Sequence, residues 1–257
     1  MSYENILSEN KDGICYITIN RPKELNALNS ATIVELNKAI TKADNDNAVR
    51  CIILTGADAK AFVAGADIKE FATFNIEQGK NLARQGQKVL FDLLENAATP
   101  SIAAINGFAL GGGLELAMAC HIRIASDNAK MGLPEVSLGV IPGYGGTQRL
   151  ANLVGKGKAL EMITTAGMIT ANEAKEWGLI NRIYSQEELI PAAEKIANRI
   201  KRNSRLAIAK AIKSVNAGFI DGVNGFEVEK KQFGDCFGTD DFIEGTTAFM
   251  EKRKANF

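Results

Sequence analysis

The residues in this chain with the clearest chemical potential are two glutamates and a run of three glycines. Gly111 to Gly113 open a segment with helical apolar spacing, and Glu115 lies in the first turn of that segment. Glycine amides at a helix start are unshielded, and the positive end of the helix dipole favours an oxygen with negative charge. Glu135 follows in a second glycine-rich stretch, GLPEVSLGVIPGYGG. Two carboxylates beside such an oxyanion site could transfer protons next to an enolate.

Each of these features has a simpler interpretation when taken alone. The glycines could merely let a helix pack closely on a strand, and an acidic residue in a first helical turn also complements the dipole. Neither glycine run is a phosphate-binding signature, because Gly113 is followed by Leu114 and the stretch at 143–146 is not G-x-G-x-x-G. The combination of both glutamates with the glycines therefore favours a catalytic site.

The rest of the composition narrows the chemistry further. His121 is the single histidine of 257 residues, so a site with several histidines is impossible and we expect no metal. A Ser-His-Asp triad would need His121, which is more typical of a helix C-terminus, and no G-x-S-x-G motif is present. The 30 basic residues balance 30 acidic ones, which gives no overall field for nucleic acid or an anionic membrane. Catalysis must rest on carboxylates, backbone amides or lysines.

The cysteines and the first residues indicate the compartment. The four cysteines are far apart in the sequence, and three of them lie in apolar segments, which is typical of reduced core residues. The opening is polar, does not resemble a signal peptide, and no apolar run approaches the 18 residues of a membrane span. We expect a cytoplasmic protein with no membrane partner.

Alternating strands and helices in the first part of the chain predict an α/β fold. Capping boxes are predicted at Thr32 with Glu35 and at Thr170 with Glu173, and Ile33, Leu36, Ile40 and Ala43 should face inward. A core over residues 1–200 and a helical C-terminal subdomain over 201–257 are expected. The predicted strands are 14–20, 49–55, 101–105, 121–125 and 179–183, and the predicted helices are 29–46, 78–96, one that begins at 147, 157–166, 170–177, 185–200, 204–217, 223–237 and 240–254.

Three motifs resemble the enoyl-CoA hydratase/isomerase family, the crotonases: AFVAGADIKE at 61–70, NGFALGGGLELAMAC at 106–120 and GLPEVSLGVIPGYGGTQRL at 132–150. The stretches ITINRPKELNAL and AFMEKRKANF fit as well, so the resemblance covers the whole chain and is greatest to bacterial short-chain members. The resemblance implies a spiral of ββα turns with a helical C-terminal subdomain, assembled as a homotrimer or as a homohexamer that is a dimer of trimers.

The resemblance also implies site residues. The backbone N–H groups of Ala66 and Gly112 would form the oxyanion hole, and Glu115 and Glu135 would be the catalytic carboxylates. Family members commonly have Asp at the position of His121. The residues expected to bind substrate, the last two of them from a neighbouring subunit, are Ala64, Ala66, Asp67, Ile68, Lys69, Gly112, Phe233 and Lys252.

The activity that this resemblance implies is reversible addition of water across the 2,3 double bond of a 2-enoyl-CoA, which gives a 3-hydroxyacyl-CoA. We favour Glu115 for water and Glu135 for protonation of C2. Coenzyme A is part of the substrate, so no cofactor is expected. An enoyl-CoA isomerase is the nearest alternative and would need one carboxylate. A non-catalytic or RNA-binding relative would be expected to lose a glutamate or to gain a basic surface.

Overall fold

The chain alternates between two β-sheets, and this alternation organises the molecule. The computed structural model describes residues 3–257. The larger sheet contains, in spatial order, β1 (Ile6–Lys11), β2 (Ile14–Ile19), β3 (Cys51–Gly56), β5 (Ser101–Ile105), β7 (Ile122–Ser126) and β10 (Arg182–Tyr184). The smaller sheet contains β4 (Ala61–Val63), β6 (Phe108–Leu110), β8 (Lys130–Gly132) and β9 (Met168–Thr170). All neighbours pair in parallel except β1 with β2 and β8 with β9.

Each turn of the chain places one strand in each sheet and then returns through a helix. The pairs β3 and β4, β5 and β6, and β7 and β8 repeat this pattern, which confirms the predicted ββα spiral. The helices are α1 (Ser30–Asn45), α2 (Ile76–Gly86), α3 (Asp92–Glu95), α4 (Gly112–Ala119), α5 (Gly146–Thr165), α6 (Ala171–Glu176), α7 (Leu189–Ile200), α8 (Arg205–Ala217), α9 (Gly225–Cys236) and α10 (Asp240–Met250).

The central strands of the larger sheet, β3 and β5, are buried on both faces, as the strands of parallel sheets usually are. Alternate side chains of β3 point to opposite faces of the sheet and pack in different cores. Ile52 and Leu54 join the main core with residues of α1, and Cys51 and Ile53 join a second core with residues of α7. The near-continuous apolar run of β3 reflects this burial on two sides.

The N-terminus of α1 differs from the sequence prediction. The predicted capping box of Thr32 and Glu35 is wrong, because Asn29 is the N-cap and its side chain accepts from the Thr32 amide. Glu35 instead accepts from the amides of Glu4 and Asn5 at 2.9 and 2.8 Å, and so ties α1 to the start of the chain. The inward face predicted for α1 is confirmed, and so is the capping box of α6.

Several element boundaries also differ from the predictions. The predicted helix 78–96 consists of α2, a π-helical segment over Gln87–Phe91 and α3, which follow one another directly. The predicted helix 157–166 is the second half of α5, beyond a kink at Gly155, where φ is 79°. The strand predicted at 179–183 begins later, at Arg182, and is β10. Leu179 and Ile180 are not part of it, because their amides both donate to the Ala174 carbonyl of α6. β1 was not predicted, and neither were the short strands of the smaller sheet, β4, β6, β8 and β9.

The C-terminal helices present an apolar surface. Among residues 3–257, no helix combines the length and apolar content that crossing a bilayer requires. α8 to α10 and the turns that follow α8 and α9 nevertheless carry large apolar side chains exposed to solvent, which include Phe219, Phe226, Phe233, Phe237, Ile243, Phe249 and Met250. The boundary expected at residue 200 coincides with the end of α7, and the division into two units stays a prediction.

Candidate active site

Glu115 is a buried carboxylate held by a loop from another part of the chain. Only 1% of the residue is exposed, and it projects from the first turn of α4. Its Oε1 accepts from the amides of Tyr144 and Gly146, each at 2.8 Å. Gly146 begins α5, so the carboxylate also lies at the positive end of a second helix dipole. These contacts leave Oε2 as the oxygen available to a reactant.

Glu135 lies close to the start of the same helix. A Cβ built on Gly111, the N-cap of α4, would lie 2.8 Å from Glu135 Oε1. Glu135 Oε2 is buried and has no hydrogen-bond partner among residues 3–257. A buried carboxylate oxygen without a donor favours the protonated form of the group. The two glutamates therefore lie at the same end of α4 but differ in their hydrogen bonding.

Burial raises the pKa of both carboxyl groups. For Glu115, burial and then the charge of Glu135 raise the pKa to about 7, although the two amide donors act in the opposite direction. Burial likewise raises the pKa of Glu135 above its ordinary value. Two interacting carboxyls titrate as a pair, so the first proton belongs to both. A carboxyl with a pKa of about 7 can take up or release a proton close to neutral pH.

The three consecutive glycines have three different roles. Gly111 has φ 50° and ψ −126°, a conformation that favours glycine, and its missing side chain leaves room for Glu135. A side chain on Gly113 would collide with the carbonyl of Val63, so this glycine permits the close approach of α4 to β4. Gly112 is the first residue of α4, and its amide has no intrahelical acceptor.

The amide of Ala66 lies beside that of Gly112. Leu28 forms an isolated parallel β-bridge with Ala66. The Leu28 amide donates to Gly65 O at 2.9 Å, and the Leu28 carbonyl accepts from Asp67 N at 2.7 Å. A bridge of this kind uses the groups on either side of Ala66, so the Ala66 amide points away from Leu28. A methyl group built on Gly112 would lie 3.6 Å from the Ala66 nitrogen. The Ala66 amide thus lies near Gly112, at the end of α4 that carries Glu115.

Comparison with known proteins agrees with this geometry. A model of the family described as enoyl-CoA hydratase/isomerase matches residues 9–257. The chain belongs to the enoyl-CoA hydratase/isomerase family. It is 48% identical over 258 residues to the crotonyl-CoA hydratase of Syntrophomonas wolfei, which covers 100% of this chain and 99% of that protein.

Two further family members have similar coverage. The chain is 48% identical over 257 residues to the short-chain-enoyl-CoA hydratase of Clostridium acetobutylicum, with 99% of this chain and 97% of that protein covered. The crystal structure of enoyl-CoA hydratase from Bacillus anthracis superimposes with a TM-score of 0.93 at 39% identity and covers 99% of both chains. The predicted crotonase fold is thereby confirmed.

The predicted substrate-binding segment surrounds the Ala66 amide. Ala64 donates its amide to Leu25 O at 3.1 Å, and Asp67 forms an ion pair with Arg21 at 3.1 Å. Both side chains of that pair are mostly buried, which anchors the segment to the RPKELNAL turn. The next two predicted residues, Ile68 and Lys69, are exposed in a short 3-10 turn.

Phe233 and Lys252 are not part of this arrangement. Phe233 is 66% exposed on α9 and packs against Phe237 with ring centroids 5.1 Å apart. Lys252 is exposed just beyond α10. Neither side chain takes part in the hydrogen bonds that hold Glu115.

Sequence reasoning missed the groups that hold Glu115. The amides of Tyr144 and Gly146 act through the backbone, and Arg149 Nη1 supports them by donating to Tyr144 O at 2.9 Å. The GYGGTQR stretch was the available signal, since a glycine loop before a helix exposes amides. His121 follows α4 as predicted, but its Nδ1 accepts from the Ser101 amide at 3.0 Å, so the ring joins two strands of the larger sheet.

Proposed function

We propose that the protein is a 2-enoyl-CoA hydratase that acts on short-chain substrates. The observation that carries this proposal is the convergence of Glu115 and Glu135 with the paired amides of Ala66 and Gly112. The names of the relatives from Syntrophomonas wolfei and Clostridium acetobutylicum support both the reaction and the short-chain preference.

The paired amides would stabilise the charge that develops during hydration. Attack of water at C3 moves the electrons of the double bond towards the thioester oxygen, which becomes an enolate oxygen. Amides already oriented towards that oxygen need no reorganisation, and one such donor is typically worth about 10²–10³ in rate. In this mechanism the Ala66 and Gly112 amides donate hydrogen bonds to the enolate oxygen.

The different environments of the glutamates support different roles. The two amide donors favour the ionised form of Glu115, which takes a proton from water as the oxygen bonds to C3. Glu135, with a buried oxygen that lacks a donor, supplies a proton to C2. The pair returns to its starting state when the proton on Glu115 passes through water to Glu135. A pKa of about 7 for Glu115 suits proton transfer near neutral pH.

An enoyl-CoA isomerase is the alternative within the family. Shifting a double bond between the 3-enoyl and 2-enoyl positions needs one carboxylate to carry a proton between C2 and C4, whereas hydration uses two groups. Both glutamates lie near the start of α4, close to the amides of Ala66 and Gly112, and this supports a reaction that uses two groups. A nucleic-acid-binding role lacks support, since the chain has 30 basic and 30 acidic residues.

We further propose that the chain works as a homotrimer or a homohexamer. The apolar side chains on α8 to α10 are numerous enough to mark residues 201–257 as the contact region. In such an assembly Phe233 and Lys252 would approach the CoA of a neighbouring subunit. The reaction as written needs no cofactor or metal, and the free cysteines fit a reducing, cytoplasmic location.

A direct assay tests the proposed reaction. Hydration removes the absorbance of the enoyl thioester, so crotonyl-CoA and its longer homologues should lose that band at rates that fall with chain length. A 3-enoyl-CoA of equal length should react slowly. Rapid conversion of the 3-enoyl substrate with no hydration of crotonyl-CoA would identify an isomerase, and sedimentation of an active monomer would contradict the assembly.

A further inference from the structure

Arg149 is the charged side chain that supports the loop around Glu115. It lies in the first turn of α5, and only 11% of its side chain is exposed. Nη1 donates to Tyr144 O at 2.9 Å, while Nη2 donates to Asp92 Oδ1 at 3.0 Å and to Glu95 Oε2 at 2.6 Å. One guanidinium therefore joins the loop to α3.

The carbonyl that Arg149 holds belongs to the residue that binds Glu115. Tyr144 donates its amide to Glu115 Oε1 and offers its carbonyl to Arg149, so these two bonds fix the backbone on both sides of the Tyr144 side chain. Gly145 follows with φ 95°, which leaves this segment with little intrinsic preference for one conformation. The Tyr144 ring is also stacked on Phe91 at a centroid distance of 4.7 Å.

The carboxylates that bind Arg149 are themselves partly exposed. The side chains of Asp92 and Glu95 are 53% and 38% accessible, so these acids are available to hold a cation without being buried charges. The Glu95 carbonyl accepts from Asn216 on α8 at 2.8 Å, which connects α3 to the C-terminal helices. Arg149 thus transmits the position of α3 to the loop.

We propose that Arg149 is a positioning residue for Glu115. Held by Asp92 and Glu95, its guanidinium fixes the Tyr144 carbonyl, which lies in the chain between the Tyr144 and Gly146 amides, and these two amides orient the Glu115 carboxylate towards the reactant. This inference rests on the proposed function for its link to turnover, but its effect on Glu115 is a property of the free protein.

The positive charge of Arg149, like its hydrogen bond to the loop, favours the ionised form of Glu115. Its positive charge lowers the pKa of Glu115, against the larger effects of burial and of Glu135. The other titratable group of the loop, the Tyr144 phenol, has a pKa raised to about 12 by burial and by Glu115, so it stays protonated in the neutral range. Of the other segments packed on α4, β4 and β6 carry no titratable side chain, and the π-helical segment has only the exposed Lys88.

Two substitutions separate the two-point hydrogen bonding of the Arg149 guanidinium from its positive charge. Arg149→Gln removes the cation, whereas Arg149→Lys keeps it, although a single ammonium cannot occupy both terminal positions of a guanidinium. We expect both variants to lower kcat for crotonyl-CoA by about tenfold to 10²-fold, the range for a displaced catalytic group, with little change in KM. The acid limb of the kcat/KM profile should move to higher pH in both. Arg182→Lys, on the exposed edge strand β10, should match the wild type.

A second measurement does not depend on the reaction. The pKa of the Glu115 carboxyl, followed by NMR with carbon-labelled glutamate and assigned with Glu115→Gln, should rise in both Arg149 variants. Native kcat, pH profile and Glu115 pKa in Arg149→Lys would overturn the proposal, because charge alone would then suffice. A protein that hydrates no enoyl-CoA but shows the raised Glu115 pKa would instead contradict the proposed function and leave Arg149 as the positioning group.

A surface variant keeps the test decisive if Arg149 is needed for folding. The double substitution Asp92→Asn and Glu95→Gln removes the anchors of the guanidinium at two partly exposed positions. We expect it to lower kcat in the same direction while the protein stays folded by circular dichroism. A folded double variant with native kcat and an unchanged acid limb would overturn the proposal.

Discussion

Gly112→Ala should separate the oxyanion site from the fold. The added methyl would lie 3.5 Å from Tyr144 Cδ2 and 3.6 Å from the Ala66 nitrogen, which are ordinary van der Waals distances. An oxygen that accepts from the Ala66 amide must lie about 2.9 Å from the same nitrogen. The methyl and the oxyanion would therefore compete for the space between the two amides, although nothing in the fold needs to move.

The magnitude follows from the number of donors lost. Displacing the thioester oxygen from one donor typically costs about 10²–10³ in kcat, or about 2.7–4 kcal/mol of transition-state stabilisation. Because alanine is a better helix former than glycine, the melting temperature should stay the same or rise. The assay is the loss of enoyl absorbance with crotonyl-CoA, measured beside thermal unfolding.

Two other glycines provide matched controls for this prediction. Gly79→Ala, on α2 with open space around the new Cβ, should change neither activity nor fold. Gly113→Ala should destabilise the protein, since its methyl would collide with the Val63 carbonyl. A folded Gly112→Ala protein with native kcat would refute the assignment of this amide.

Three more substitutions test how the surroundings act. Gly86→Ala would push its methyl into the buried Tyr144 ring and should cost about 1–3 kcal/mol of unfolding free energy together with kcat, measured by denaturant titration and crotonyl-CoA turnover. Burial lowers the pKa of His121, whose ring accepts from the Ser101 amide, so the stability that the neutral ring provides should be lost as the pH falls below about 6.5. His121→Asn should therefore flatten the pH dependence of the melting temperature. Equal slopes for the variant and the wild type would contradict this. Lys252 has φ 55° at a helix end where glycine is usual, so Lys252→Gly should raise stability by up to about 1 kcal/mol but raise KM more for CoA thioesters than for pantetheine thioesters; equal KM changes would contradict a phosphate contact.

Periodicity was sufficient to predict elements that bury one clear face. The inward residues of α1 all lie in the core, because an apolar stripe at helical spacing has few other ways to leave water. β1 escaped prediction for the opposite reason. Ile6 is its one buried residue, so the strand is defined by its pairing with β2 and not by a pattern of its own. The capping box predicted at Thr32 failed because Glu35 found partners in the N-terminal backbone.

The candidate site was only partly accessible from the sequence. The glycine run does begin α4, and the Ala66 nitrogen would lie 3.6 Å from a Cβ built on Gly112; the assignment of these two amides as an oxyanion hole stays a prediction. The support of Glu115 by Tyr144, and of Tyr144 by Arg149, depends on contacts between distant segments that no local pattern encodes. The roles of the two glutamates came from family resemblance and stay predictions.

Single and double substitution of the two glutamates tests the central claim most directly. Glu115→Gln, Glu135→Gln and the double variant should be assayed with a 2-enoyl-CoA and a 3-enoyl-CoA of equal length, after circular dichroism has shown that each is folded. If the carboxylates work as a unit on one water, each single variant should lose about 10²–10⁴ in kcat, and the double variant should lose little more than either. Native-like hydration of the 2-enoyl-CoA by either single variant would contradict the paired mechanism.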